Sequence, residues 1–195
     1  MATNFSYPAT HKNPGQIWAN LSIPAGGARL TLDANGEPDA TENPNALHLG
    51  LTEAGATVKL NGEYEDEFFD EFREALDTTH TQTAMMLNAD LSQVYDFDVL
   101  ELCTKGIGTR DTGAGYDEIS IGRSPLGFTS IAVITPRRDD PTKFAVTHIY
   151  SALNKSNIEL ATSRQTRSKI PVEFVGYGIP GRADSDTLGK IWTQV

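Results

Sequence analysis

Cysteine is nearly absent: Cys103 stands alone among 195 residues. This excludes an intrachain disulfide, a CxxC redox pair and an all-cysteine metal cage. Long apolar runs are missing as well, and none approaches the ~20 residues that a membrane-spanning helix requires. Met1 to Pro8 has neither the basic start nor the apolar stretch of a signal peptide. The expectation is a soluble protein kept in a reducing compartment. Basic side chains are also scarce, with 16 Lys and Arg against 26 Asp and Glu and a formal charge of −10. A general DNA-coating role is disfavoured, because phosphate neutralisation needs a basic face.

The charge that is present is unevenly placed. Residues 1–98 carry four basic and sixteen acidic side chains, whereas residues 99–195 carry twelve basic and ten acidic. A solvated acidic surface accounts for this. So does a subunit with one acidic and one neutral-to-basic side, whose copies would pair head to tail into rings or filaments.

Pro and Gly punctuate the chain at short intervals, leaving strand-length segments between them. Gln16 to Ile23 and Ala28 to Asp33 read as strands, the second ending at an Asn35–Gly36 turn. Leu47, Leu49 and Leu51 alternate with His48 and Gly50, and Thr57 to Leu60 is closed by the turn dipeptide Asn61–Gly62. Further strands are expected at Gly127 to Thr135, Lys143 to Ala152, Lys169 to Ile179 and Leu188 to Gln194, with Phe144, Val146, His148 and Tyr150 on one face. One helix is expected, capped by Asp90 or Ser92, with Leu91, Val94, Tyr95, Val99 and Leu102 at helical spacing and Lys105–Gly106 at its end. Together these predict a single mainly β domain over 1–195, a β-sandwich or barrel with one flanking α-helix.

Two stretches do not read as compact core. Residues 63–77, EYEDEFFDEFREALD, set eight acids and one Arg among four aromatics. They read either as an acidic amphipathic helix on its own core or as a long acidic loop or arm that a neighbouring subunit buries. In the second case Tyr64, Phe68, Phe69 and Phe72 would anchor it. Asp70, Glu71 and Arg73 would lie among them, and Arg164, Arg167 or Lys169 would answer the carboxylates. Residues 105–118, KGIGTRDTGAGYDE, read as a Gly-rich loop.

Catalytic and ligand motifs do not assemble. Gly106-Ile-Gly108 lacks the third glycine of a dinucleotide loop, and no Gly-Lys-Ser/Thr is present. Gly122-Arg-Ser124-Pro-Leu-Gly127 has its second glycine one residue late for a nucleophile elbow, and Pro125 opposes the helix that should follow. His11, His48, His80 and His148 have no metal-binding spacing. Asp96 with Asp98, and Asp184 with Asp186, do not continue into a calcium loop. Cys103 is expected to be a buried, inert thiol. No enzyme, cofactor or metal site is expected.

The run GQIWANLSIPAGGARLTLDANGEPDATENPNALHLGLTEAGATVKL resembles the opening of the major tail tube proteins of long-tailed bacteriophages, and PTKFAVTHIYSALNKSNIELATSRQTRSKIPVEFVGYGIPGRADSDTLGKIWTQV resembles their ending. The likeness includes Gly50-Leu51-Thr52-Glu53-Ala54-Gly55 after an early strand pair, a long acidic loop, a helix, and closing strands around Val172 to Tyr177 and Gly189 to Trp192. It implies a β-sandwich or barrel-like structural subunit, six copies of which form a ring whose inner strands close into a shared barrel. Stacked rings then make the hollow virion tail tube, assembled in the host cytoplasm, through which DNA passes without specific binding. Implied partners are other copies of the chain and tape measure, tail terminator and baseplate or initiator proteins, with no membrane. An excess of carboxylate suits such a conduit, since it repels phosphate. A tail terminator or capsid decoration protein shares these features. A carbohydrate-binding β-sandwich would use Trp18 and Trp192 as stacking platforms.

Overall fold

The computed structural model describes residues 15–50, 52–67, 77–92, 96–158 and 169–195. In chain order the strands are β1 (Gln16–Ala19), β2 (Leu47–His48), β3 (Thr52–Glu67) and β4 (Asp77–Leu91); the helix α1 (Phe97–Thr104) follows. Then come β5 (Gly108–Gly113), β6 (Tyr116–Ile121), β7 (Thr129–Pro136), β8 (Phe144–Asn154), β9 (Ile170–Gly176) and β10 (Gly189–Thr193). The protein is mainly β, antiparallel throughout its named strands, with one α-helix. No helix among the described residues is long and apolar enough to cross a membrane.

The main sheet runs β2-β1-β7-β8-β9-β4-β3. One edge of β8 is shared: β10 pairs with Ala145 to Ile149, and β9 takes over at Ala152 to Asn154. The order is open at β2 and β3, and no pairing among the described residues joins these ends. Among the described residues the sheet is therefore not closed into a barrel.

Strand alternation sends successive side chains to opposite faces, and here both faces are covered. Ile17, Ala19, Ile131, Val133 and Ile149 join Leu87, Leu91, Ile170 and Phe174 in the larger core, closed by Val99, Leu102 and Cys103 of α1. From the other face Ala132, Ile134 and Val146 meet Leu21 and Leu30, with Trp18, Leu32, Phe144 and Trp192 partly buried around them. Of Ala28 to Asp33, expected as a strand, only Leu32 makes a bridge, to Pro38; the segment serves as an irregular cover whose leucines fill this second core. The Asn35–Gly36 turn is present, with Gly36 at φ 79° and the Asp33 carboxylate accepting from the amides of Asn35 and Glu37.

Four further expectations are corrected. Asn61–Gly62 does not turn: both residues lie inside β3, opposite Ala84 and Thr83, because β4 supplies a continuous pairing partner. The helix does not begin at Asp90 or Ser92. Leu91 ends β4 and pairs with Ile170, so two-residue alternation prevails there. The cap is instead Asp96, whose carboxylate accepts from the amides of Asp98 and Val99; Val94 and Tyr95 lie outside the described residues. Residues 105–118 are no loop, since they hold β5 and the first half of β6, in a hairpin paired from Gly108↔Ile121 to Gly113↔Tyr116. The Arg110 guanidinium fixes this hairpin to α1, donating to Asp98 and Glu101 of the helix and to Asp117 of β6. Finally, Glu63 to Glu67 and Asp77 are strand, neither loop nor helix.

Candidate assembly surface

The acidic stretch grows out of the β3–β4 hairpin, so that hairpin is the starting point. One face of β3 carries Ala56, Val58, Leu60, Gly62 and Tyr64, opposite Ala89, Leu87, Met85, Thr83 and His80 of β4. The inner half of this stripe is core: Leu87 is fully buried and Met85 nearly so. Farther out the same face emerges, with Leu60 58% and Tyr64 67% exposed. A register shift between Glu63 and Tyr64 brings the Tyr64 ring within 5.1 Å of the His80 ring, and the His80 Nε2 lies 2.9 Å from the Thr83 hydroxyl. Tyr64 also leans over Gly62, where an added Cβ would meet its ring at 3.0 Å. An apolar stripe thus runs out of the core onto an exposed ribbon.

β3 is also an edge. Among the described residues only β4 pairs with it along its sixteen residues. Its outer backbone groups form a template for another strand, a feature that globular proteins normally shorten or cover.

Of the residues assigned to this surface by sequence, Tyr64 lies on the exposed stripe. Phe68, Phe69, Asp70, Glu71, Phe72, Arg73, Arg164 and Arg167 lie outside the described residues. Lys169 precedes β9 and its ammonium donates to Asp90 at 2.7 Å. Asp90 and His80 are ten positions apart on β4, about 33 Å along an extended strand, so the Lys169–Asp90 pair sits far from Tyr64. Leu60 and His80 were missed by sequence reasoning. Their membership depends on the pairing register, although Leu60 sits two and four residues from Gly62 and Tyr64 in a strand-like alternation.

No family model matches the chain, and no curated protein does. What the other polar groups can do therefore rests on their geometry. Ser130 and His148 are buried 2.6 Å apart (Oγ to Nε2), at a register shift between β7 and β8. Ser130 lines an open cleft of about 440 Å³ together with Asn20, Ile23, Phe128, Tyr150 and Ile179 among others. Burial, reinforced by the Arg182 guanidinium, pushes the His148 pKa down to about 4. Arg182 stacks on Tyr150 and donates to Asp186, which also accepts from the Tyr150 hydroxyl at 2.8 Å. These hydrogen bonds hold the Asp186 carboxyl down at about 2. The histidine thus has a cation nearby where a nucleophile's base would have an orienting carboxylate.

Cys103 is buried and its thiol pushed up to about 12. Asp96 caps the helix, Asp98 receives Arg110 and Asp186 receives Arg182. No three His, Cys, Asp or Glu side chains among the described residues are grouped to hold a metal ion. Trp18 packs at 4.8 Å from the His48 ring, and Arg29 lies over the Trp192 ring at 5.8 Å.

His148 gives a pH prediction. Its folded pKa lies below the ordinary value of 6.5, so the fold holds the neutral ring. That stabilisation is complete above pH 6.5 and is lost as pH falls toward about 4. The thermal midpoint is expected to drop across this window, and His148→Gln is expected to flatten the drop. Asp186, held lower, acts only in more acidic solution. Calorimetry at half-unit pH steps checks both parts; an equal slope in the variant would assign the drop to other groups.

Proposed function

We propose that this chain is a structural subunit that assembles with copies of itself into rings, which stack into a hollow tube that conducts DNA, as the resemblance to phage tail tube proteins implies. The observation that carries the reading is β3, a sixteen-residue strand whose only partner among the described residues is β4, at one end of the sheet, while a two-residue strand, β2, stands at the other. Two unlike sheet ends favour head-to-tail contacts over a two-fold dimer, and head-to-tail contacts generate rings or filaments. Pairing between copies removes the exposed edge and extends the open sheet into a barrel shared by the ring. The 26 carboxylates against 16 cations suit a passage along which phosphate must slide.

Negative-stain electron microscopy over a concentration and salt series tests this reading. Hollow tubes or stacked rings are expected, with a salt dependence reflecting screening over roughly 8–10 Å near physiological ionic strength. Isolated closed rings that never stack would favour a terminator or decoration role instead. In the same assay Phe68→Ala with Phe69→Ala is expected to leave a folded monomer and to raise the assembly concentration at least about tenfold, the scale of losing aromatic interface anchors. Normal tubes from that double variant would remove the acidic arm from the contact.

A further inference from the structure

Three irregular places in the sheet meet at the cleft that Ser130 lines. β1 ends at Asn20, which takes a left-handed φ of 56°, the one residue other than glycine to do so among the described residues. Between Thr129↔Ala152 and Ile131↔Ile149 the ladder sets one residue of β7, Ser130, against two of β8, Tyr150 and Ser151. Such a bulge breaks the strict alternation of faces and often borders a binding site. The third place is the chain just beyond β9, where Ile179 joins the lining. The cleft, at about 440 Å³, falls in the range of small-molecule sites, roughly 300–1,000 Å³.

Its chemistry is uncharged. Although 22% of the chain is Asp, Glu, Lys or Arg, none of these lines the cleft. Arg182 and Asp186, which touch Tyr150, are paired with each other at 2.8 Å, and Lys155, over the Tyr177 ring, stands outside the lining. Polar capacity is nevertheless left over. The Thr129 hydroxyl donates to Asn20 Oδ1 at 2.9 Å and accepts from the Asn20 backbone amide at 3.3 Å, which leaves the Asn20 side-chain N–H groups without an acceptor among the described residues. The side chains of Asn45 and Ser151 make no hydrogen bond among the described residues either. Beside these groups Phe128 is 49% and Ile23 43% exposed. The Tyr177 ring meets the Phe128 ring at 5.2 Å and 70°, an edge contact that braces it before any ligand arrives.

Neutral donors and acceptors next to an exposed aromatic ring suit a molecule with many hydroxyls and an apolar C–H face. A charged ligand would give up hydration with no counter-ion in the lining. We propose that this cleft binds a neutral saccharide, one sugar ring stacking on Phe128 while its hydroxyls bond to Asn20, Asn45 and Ser151. Trp18 and Trp192, packed against His48 and Arg29, take no part. The cleft involves no residue of β3, so this binding is independent of self-assembly.

Saturation-transfer NMR and calorimetric titration of the full-length protein test it, with neutral trisaccharides of glucose, galactose, mannose and N-acetylglucosamine as probes. At least one is expected to bind with a Kd of about 1 mM or tighter. Phe128→Ala is expected to weaken that binding about tenfold and Phe128→Trp to preserve it, a rescue that separates stacking from a general disturbance of the fold. Ser151→Ala, which removes no side-chain hydrogen bond of the free protein, is expected to weaken it several-fold. The proposal is overturned if none of these sugars binds below about 10 mM. It is equally overturned if a sugar binds but Phe128→Ala and Ser151→Ala leave its affinity unchanged, or if an acidic trisaccharide carrying a uronic acid binds as well as the best neutral one.

Discussion

Phe174→Ala is expected to cost about 3–5 kcal/mol of stability, the range for truncating a buried phenylalanine. Phe174 is fully buried in the larger core and stands opposite Leu87 of β4 and Asn154 of β8. Its strand is the link in the sheet between β8 and the β4–β3 hairpin. A cavity there therefore weakens packing and loosens the attachment of the ribbon assigned to assembly. Phe174→Leu, which keeps most of the volume, should cost less than half as much. Urea titrations of the monomer, compared at constant slope, measure both. A loss under about 1 kcal/mol for the alanine variant would be incompatible with the packing described.

Gly189→Ala is the second large effect. An added Cβ would lie 2.2 Å from the His148 carbonyl oxygen and 3.1 Å from the Met85 sulfur. The first obstacle is backbone and cannot rotate away, so β10 must shift off β8. Gly189 pairs with Ile149 and opens the ladder that runs to Thr193↔Ala145. Losing it exposes Val146 and uncovers the second core at Trp192. A cost of roughly 3 kcal/mol is expected, at the upper end for overpacking. Gly26→Ala, with open space around its Cβ, should stay within about 0.5 kcal/mol. In a Trp18→Phe background a red shift of Trp192 emission should accompany the first change and not the second. Equal midpoints for the two alanine variants would disprove the close approach.

β7 and β8 were legible in the sequence because both their faces are apolar: Ile131, Ala132, Val133 and Ile134 form a run too short for a buried helix between Gly127 and Pro136. β10 was likewise visible from Leu188 to Gln194. The failures share a cause, in that tertiary pairing overrode local signals. Asn61–Gly62 is a strong turn dipeptide, yet a strand as long as β3 carries it straight through while the Tyr64 ring fills the space above the glycine. Leu91 fits a helix by spacing, but β3 and β9 claim it on both sides. The glycines of 105–118 suggested a loop because the feature that orders them, one arginine drawn to three carboxylates from two elements, has no spacing in sequence. The proposed assembly surface was half visible for a similar reason: Tyr64 stood out by composition, whereas Leu60 and His80 acquire meaning only from their neighbours in space.

The pairing of β1 with β7 has a kinetic consequence. Asn20 and Thr129, which bond to each other where these strands end, are 109 positions apart. Closing so long a loop costs entropy before any contact repays it, and sheets built on such distant pairings fold slowly. The β3–β4 hairpin, joined through nearby residues, can form much earlier. A nascent chain would then display its sticky edge strand before the rest of the sheet is complete. The eight carboxylates of residues 63–77 would keep early copies apart by mutual repulsion until each has finished folding.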